Sequence, residues 1–269
     1  MARVVTNNLL SRTYGLLSLQ EEGRELLSHL FLPGQFVMLR IPAVTSPLLP
    51  RPYAVLDYKV TRGQCRFSVL YRVVGRQTEL LLRLRKGDRV EAIGPLGKGL
   101  ARDTFAGCRG IDFVAGGVGL AGVFLGMKLF AAKSKRLFYG ARSAEEIVLR
   151  SWIRKRGLRT FVSTDDGSLG FRGSVVDCYR RFCEKTGFDG RAVFACGPSA
   201  MLKAIAMFCL RRGIPCYLSL EERMACGMGL CLGCMVRLRG EGGEAGPLVT
   251  SCREGPVFRA TDVDLEALL

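Results

Sequence analysis

The sequence holds a single histidine, His29, and that scarcity removes whole classes of chemistry. A catalytic triad, a paired-histidine metal centre and an HExxH zinc site all need imidazoles this chain does not have. His29 lies in a segment of mixed polarity and reads as a surface or loop residue. Acidic residues are also few: 24 Asp and Glu stand against 40 Lys and Arg, a formal charge of +16 over 269 residues. Proline is sparse at 10, and 48% hydrophobic with 24% charged residues is ordinary globular usage, which excludes disordered and collagen-like classes. The opening Met1-Ala-Arg-Val-Val-Thr-Asn-Asn8 has neither the apolar core nor the small-residue cleavage site of a signal peptide, so a reducing, cytoplasmic setting is expected. No long apolar run exists either. The longest uncharged stretch, Phe113 to Met127, has fifteen residues against the roughly 20 that cross a bilayer. Its five glycines suit a strand, a glycine turn and a buried helix better than a membrane span.

What is abundant is positive charge, and it favours anionic partners. The cations are dispersed, with the densest runs at Arg83-Leu-Arg-Lys86 and Arg154-Lys-Arg156, and neither carries the interleaved aromatics of a base-stacking platform. Phosphate-bearing cofactors and an acidic protein partner are expected, and nucleic acid is not.

The rhythm of the chain divides it in three. Up to about Gly107, short β-runs are separated by turn signals: Arg12 to Leu19, Gln35 to Ile41, Tyr53 to Tyr58, Cys65 to Val74 and Asp88 to Ile93, with one helix at Thr78 to Leu84. Such spacing predicts an antiparallel β-barrel or sandwich. From Gly110, strand and helix alternate: strands at Ile111–Ala115, Arg136–Tyr139, Arg159–Ser163, Ala192–Ala195 and Cys216–Leu220, and helices at Gly116–Ala132, Ala144–Arg156, Ser174–Lys185 and Ser199–Arg212. This predicts a parallel, doubly wound α/β domain. The remainder, Cys- and Gly-rich, reads as a loop-built module closed by a hairpin. The expected fold is thus an α+β multidomain chain, with boundaries at 1–107, 108–220 and 221–269.

Cysteine is the conspicuous excess, at eleven, an odd number that argues for metal ligation and against a disulfide framework. Cys226, Cys231, Cys234 and Cys252 are separated by four, two and seventeen residues, which is the plant-type ligand spacing of a 2Fe-2S cluster. Three thiolates on one tight loop need a sharply bent backbone, and Gly227, Gly229 and Gly233 supply it. A structural zinc site and unligated core cysteines are the competing readings, though zinc ribbons present two C-x2–4-C pairs and here the fourth cysteine stands alone. The other cysteines sit mostly in apolar surroundings and read as small core residues.

A second motif follows the strand at Ile111–Ala115. Gly117-Val-Gly-Leu-Ala-Gly122 spells G-x-G-x-x-G at the opening of a helix, the dinucleotide fingerprint, in which bare backbone approaches a pyrophosphate at the positive helix end. The next strand ends in Tyr139-Gly-Ala-Arg142 with no acid for a ribose 2′-hydroxyl, so NADH and NADPH both remain open.

With these motifs in order along one chain, the sequence resembles the ferredoxin–NADP reductase superfamily and, within it, the electron-transfer subunit of NAD-dependent dihydroorotate dehydrogenase. Arg51-Pro-Tyr-Ala54 is similar to that family's flavin motif, with Ala54 where a hydroxyl residue is usual. Leu70-Tyr-Arg72 and Gln77-Thr78 resemble its second and third flavin contacts, Gly94-Pro-Leu-Gly97 the loop closing the barrel, and Cys196-Gly-Pro198 its turn beside the nicotinamide. Thr164-Asp-Asp-Gly-Ser168 resembles its nucleotide-domain loop, while Leu220-Glu-Glu-Arg-Met-Ala-Cys226 and Cys252-Arg-Glu-Gly-Pro-Val-Phe258 resemble the cluster-domain signatures.

The resemblance implies a FAD-binding barrel (Arg51, Pro52, Tyr53, Ala54, Leu70, Tyr71, Arg72, Gln77, Thr78) and a NAD(H) site (Gly116, Gly117, Val118, Gly119, Arg142, Cys196, Gly197, Pro198). It also implies a 2Fe-2S cluster on the four spaced cysteines. The implied partner is an FMN-containing catalytic subunit that oxidises dihydroorotate in pyrimidine biosynthesis, in a heterotetramer, with electrons running from FMN through the cluster and FAD to NAD+. Two alternatives stand beside it. One is a related subunit of an NADH-dependent ferredoxin–NADP oxidoreductase or sulfide dehydrogenase; the other is a basic, zinc-stabilised nucleic acid binding protein.

Overall fold

The computed structural model describes residues 1–23, 31–42, 48–130, 134–240 and 244–268, so His29 and the expected helix end at Ala132 lie outside the described residues. Six strands close an antiparallel barrel in the order β1-β2-β5-β4-β3-β6: β1 (Ala2–Leu9), β2 (Tyr14–Glu21), β3 (Phe36–Arg40), β4 (Arg51–Thr61), β5 (Gln64–Arg72) and β6 (Arg89–Leu96). The sequence reading names five of these and omits β1, whose Asn7-Asn8 are residues depleted in strands. Tertiary demand explains the asparagine. The helix α1 (Arg76–Arg83) caps the barrel, and its last-turn carbonyls lack intrahelical donors. Asn7 Nδ2 donates to the carbonyls of Leu81 at 2.8 Å and Leu84 at 3.0 Å, while its Oδ1 accepts from the Tyr71 hydroxyl at 3.0 Å.

The second domain is a seven-stranded sheet in the order β10-β9-β8-β7-β11-β12-β15. Its strands are β7 (Gly110–Gly116), β8 (Lys135–Ala141), β9 (Arg159–Thr164), β10 (Phe171–Arg172), β11 (Arg191–Cys196), β12 (Cys216–Ser219) and β15 (Val257–Arg259). Side-chain alternation splits its core in two: Phe113, Leu137 and Phe194 pack with α2 (Leu120–Leu129) on one face, and Val114, Phe138 and Val193 with α4 (Val175–Thr186) and α5 (Ser199–Arg211) on the other. The doubly wound expectation therefore holds, with one correction. The last strand, β15, comes from the cysteine-rich tail and pairs antiparallel with β12, so the sheet is mixed at that edge.

The single helix expected over Ala144–Arg156 is two pieces, a 3-10 turn at Ala144–Glu146 and α3 (Arg150–Lys155). Between them Ile147, Val148 and Leu149 are all buried, and Leu149 takes a left-handed φ of 58° where the helical path breaks. The expected start at Gly116 becomes a 3-10 turn over Gly117–Gly119 before α2 begins.

Barrel and sheet share their packing. Tyr14, Leu56 and Leu70 of the barrel join the core cluster of the sheet's α2 face, and Leu125 of α2 joins the barrel's cluster. Asp57 receives Lys128 Nζ and Arg156 Nη2, each at 2.9 Å, and Arg72 Nη2 meets Glu146 Oε1 at 2.8 Å. The tail adds a hairpin of β13 (Met235–Arg239) and β14 (Ala245–Thr250), then the short α6 (Ser251–Glu254) before β15. Among the described residues no helix is long and apolar enough to cross a membrane.

At the buried N-terminal end of β7, Asp112 accepts from Arg136 Nε at 2.7 Å, Arg191 Nε at 2.9 Å and the Tyr179 hydroxyl at 3.1 Å. Removing the carboxylate would strand two nearly buried guanidiniums. Asp112→Ala is expected to lose about 3–5 kcal/mol of stability in chemical denaturation; a loss below about 1 kcal/mol would show that water satisfies the arginines.

Candidate functional site

In the seven-stranded sheet, the connections from β7 run one way and those from β11 the other, so the strand order reverses between these two neighbours. Open α/β sheets bind ligands in the crevice outside such a reversal. Here the C-terminal tips of β7 and β11 carry Gly116–Gly119 and Cys196–Pro198, and they open onto a cleft of about 520 Å³ whose opposite wall is the barrel.

The cleft gathers most of the expected residues. Pro52, Tyr53, Ala54, Leu70, Tyr71, Arg72 and Thr78 line it from the barrel, and Gly116, Gly117, Val118, Gly119, Cys196, Gly197 and Pro198 from the sheet. Three expected residues are not among its lining. Arg51 and Arg142 are exposed, and Gln77 is buried with Nε2 toward the Leu39 carbonyl at 3.4 Å. The sequence reading, in turn, passes over Tyr14, Phe36 and Ser219, and it takes Glu221, Glu222, Met224 and Pro256 only as part of the cluster signatures; all line the cleft. No local pattern marks Tyr14, because only the meeting of barrel and sheet gives it a role.

The glycines divide the work. Gly117 has φ 55°, a conformation that favours glycine, and the space where its side chain would start lies 3.1 Å from the Tyr14 hydroxyl. Gly119 has a further reason to be bare: a Cβ there would run into the Cys196 carbonyl, so its missing side chain also lets one strand tip pack on the other.

The polar groups of the cleft fit a nucleotide cofactor. The Tyr14 hydroxyl and Arg72 Nε are both buried, and neither has a hydrogen-bond partner among the described residues. Burial first, and Glu146 second, push the Tyr14 hydroxyl up to about 12, so it is a neutral donor. Cys196 is likewise neutral, its thiol pushed up to about 12 by burial first. Burial raises the carboxyls of Glu221 and Glu222 above the usual range. Thr78 Oγ1 accepts from the Val74 and Gly75 amides at 3.0 and 3.2 Å and shapes the N-terminal turn of α1 beside the cleft. Helix starts of this kind suit anions.

Beyond Met224 the chain turns into the sulfur loop. Cys234 and Cys252 are buried, Cys226 is half-buried and Cys231 exposed. They stand as two pairs: Cys226 lies within hydrogen-bonding reach of Cys231, and Cys252 of Cys234. The Met228 amide donates to Cys226 Sγ at 3.4 Å and is the first cause drawing that thiol down to about 6. Burial, then Cys234, pushes Cys252 up to about 11. Gly227, at φ 72°, lets the loop press onto Met38 and Leu96 of the barrel. Among the described residues no three His, Cys, Asp or Glu side chains gather around one point. Two thiol pairs suit two irons, two ligands to each. The buried Ser251 hydroxyl, next to Cys252 and without a partner, fits the hydrogen-bonded surroundings such a cluster uses.

Comparison with known proteins agrees with both halves of the site. Residues 2–99 match the oxidoreductase FAD-binding domain family, and residues 221–264 the iron-sulfur cluster binding domain of dihydroorotate dehydrogenase B. The dihydroorotate dehydrogenase B (NAD(+)) electron transfer subunit of Desulforamulus reducens is 36% identical over 241 residues, 88% of each chain. That of Geobacillus thermodenitrificans is 36% identical over 245 residues, 90% of each chain. Among solved structures, a chain of the NADH-dependent reduced ferredoxin-NADP oxidoreductase superposes with a TM-score of 0.82 at 26% identity, covering 100% of this chain and 91% of that one. The cytochrome b5 reductase domain of Ulva prolifera nitrate reductase, at 22% identity and a TM-score of 0.64 over 79% of this chain and 92% of that one, shares the fold.

Removing the unpartnered hydroxyl separates its cost from its use. Tyr14→Phe is expected to stabilise the cofactor-free protein by about 1 kcal/mol in thermal melts and to weaken NADH binding roughly tenfold in fluorescence titration. Unchanged NADH affinity would mean that the hydroxyl serves no ligand.

Proposed function

The chain belongs to the family of electron transfer subunits of dihydroorotate dehydrogenase B, and from that premise we propose how its residues perform the relay. Pro52–Ala54 and Leu70–Arg72 hold FAD against the barrel, with Thr78 and the start of α1 on its diphosphate and Arg51 as an outer cation. Gln77 acts indirectly, by anchoring α1 to the barrel. Gly116–Gly119 and Cys196–Pro198 receive the nicotinamide nucleotide, with Arg142 beside its ribose phosphate. Cys226, Cys231, Cys234 and Cys252 hold the 2Fe-2S cluster. When bound, the flavin supplies hydride exchange with nicotinamide and single-electron exchange with the cluster.

The chain's own task is to stack one nucleotide on the other and keep water out. Neutral Tyr14 and Cys196 line the cleft without adding charge. The observation that carries the reading is contiguity: the segment from Ser219 to Met224 lines the cleft and leads directly into Cys226.

Electrons enter through a partner. The exposed side of the sulfur loop presents Met228, Leu230 and Leu232, at 46%, 79% and 61% exposure, and the charge of +16 suits an acidic surface. That partner is the FMN-containing catalytic subunit that oxidises dihydroorotate, joined in a heterotetramer in the cytoplasm. The full-length likeness to a chain of the NADH-dependent reduced ferredoxin-NADP oxidoreductase keeps a ferredoxin-linked partner as the second reading. Whichever larger protein co-purifies separates the two.

The purified chain, loaded with flavin and cluster, is expected to oxidise NADH with an artificial acceptor such as ferricyanide and to leave dihydroorotate untouched. Dihydroorotate turnover by this chain alone would overturn the proposal.

A further inference from the structure

Two side chains belong to both sites at once. Phe36 and Met224 line the cofactor cleft, and the same two pack with Met38, Cys234 and Cys252 in a small apolar cluster of their own. Phe36 stands directly across the β3–β4 ladder from Ala54, the residue set against the flavin. Met224 lies two residues before Cys226, on the tail segment that leads from the cleft into the sulfur loop. Exposure in this layer is 4% for Phe36 and 7% for Met224, and 2% for each of the two cysteines behind it. The remaining cysteines, half-buried Cys226 and exposed Cys231, lie on the side that carries the protruding Met228, Leu230 and Leu232.

We propose that Phe36 and Met224 form a dry septum through which electrons cross between the flavin and the Cys234–Cys252 half of the cluster, while the Cys226–Cys231 half serves the partner. The inference rests on the cofactor reading above and adds direction to it. A layer one side chain thick keeps the two redox groups close, and its apolar packing excludes the water that would otherwise solvate and retune the buried iron. In the relay's own direction the partner reduces one ferric iron of the cluster to ferrous; each crossing returns that iron to ferric and reduces the flavin by one electron, so two crossings and one proton from cleft water give the reduced flavin that passes hydride to NAD+. The test runs the same crossings in reverse, from NADH. Both residues act by positioning and exclusion and make no bond to the reacting atoms.

The test mixes the flavin- and cluster-loaded chain with NADH without oxygen and reads flavin bleaching and cluster reduction in the same samples, by absorbance and freeze-quench EPR. In Met224→Ala the ratio of the cluster rate to the flavin rate is expected to fall roughly tenfold, and Met224→Leu, which refills the space, is expected to restore it. Independently of turnover, the dithionite-reduced cluster of Met224→Ala in D2O should gain deuterium coupling that Met224→Leu does not. If Met224→Ala sheds its iron, Phe36→Leu, which thins the same layer, is read in its place and decides by the same ratio. A ratio and a coupling equal to those of the unaltered protein overturn the septum while leaving the cofactor reading intact. An unaltered chain that binds flavin but no iron overturns both.

Discussion

The three-residue ladder between β12 and β15 is the constraint on which the rest of the arrangement depends. Tyr217, Leu218 and Ser219 pair with Arg259, Phe258 and Val257, so the end of the chain is stitched to the edge of the nucleotide sheet. Just before that ladder, the Gly255 carbonyl accepts from the Lys98 amide of the barrel at 2.6 Å and the Pro256 carbonyl from Leu220 at 2.9 Å. Barrel, sheet and tail meet at one short stretch of backbone. Between Leu220 and Val257 the four spaced cysteines and the β13–β14 hairpin form an excursion whose two ends are fixed side by side; its sulfur loop presses on the barrel face at Met38 and Leu96, and its hairpin packs through Val236 with the α5 face of the sheet.

That geometry divides the environment of the sulfurs. On the inner side, burial disfavours charge, and Cys252 behaves as a high thiol; on the outer side, backbone amides aimed at Cys226 favour the thiolate. One loop thus presents a dry pair toward the cofactor cleft and a wet pair toward solvent. The basic surface and the apolar tip of the loop are then two aspects of one requirement, a docking face that attracts an acidic partner and seals against it.

Much of this was legible in the residues. Alternating strand and helix periods identified the nucleotide domain, and the 4-2-17 cysteine spacing together with the glycine fingerprint marked both chemical regions before any coordinates. What stayed hidden were features that exist only when distant segments meet. Asn7-Asn8 gives no strand signal, yet Asn7 lies on β1 and caps a helix 74 residues away. Gly119 reads as a phosphate contact, yet its missing side chain also makes room for the Cys196 carbonyl. Ile147-Val-Leu149 reads as helix, yet Leu149 takes a left-handed φ that breaks it. Tyr14 carries no motif, and only the closure of the barrel onto the glycine loop turns its hydroxyl toward the cleft. Periodicity and spacing are local signals; satisfying a carbonyl or a close backbone approach is not.

The central claim is that the tail grips two bridged irons beside a flavin. Metal and flavin analysis of the anaerobically purified chain, with its visible spectrum, tests it most directly. The account predicts about two irons and one FAD per chain, no zinc, and a coloured sample whose spectrum combines flavin and iron–sulfur bands. A colourless protein holding one zinc, or a yellow one free of iron, would contradict it.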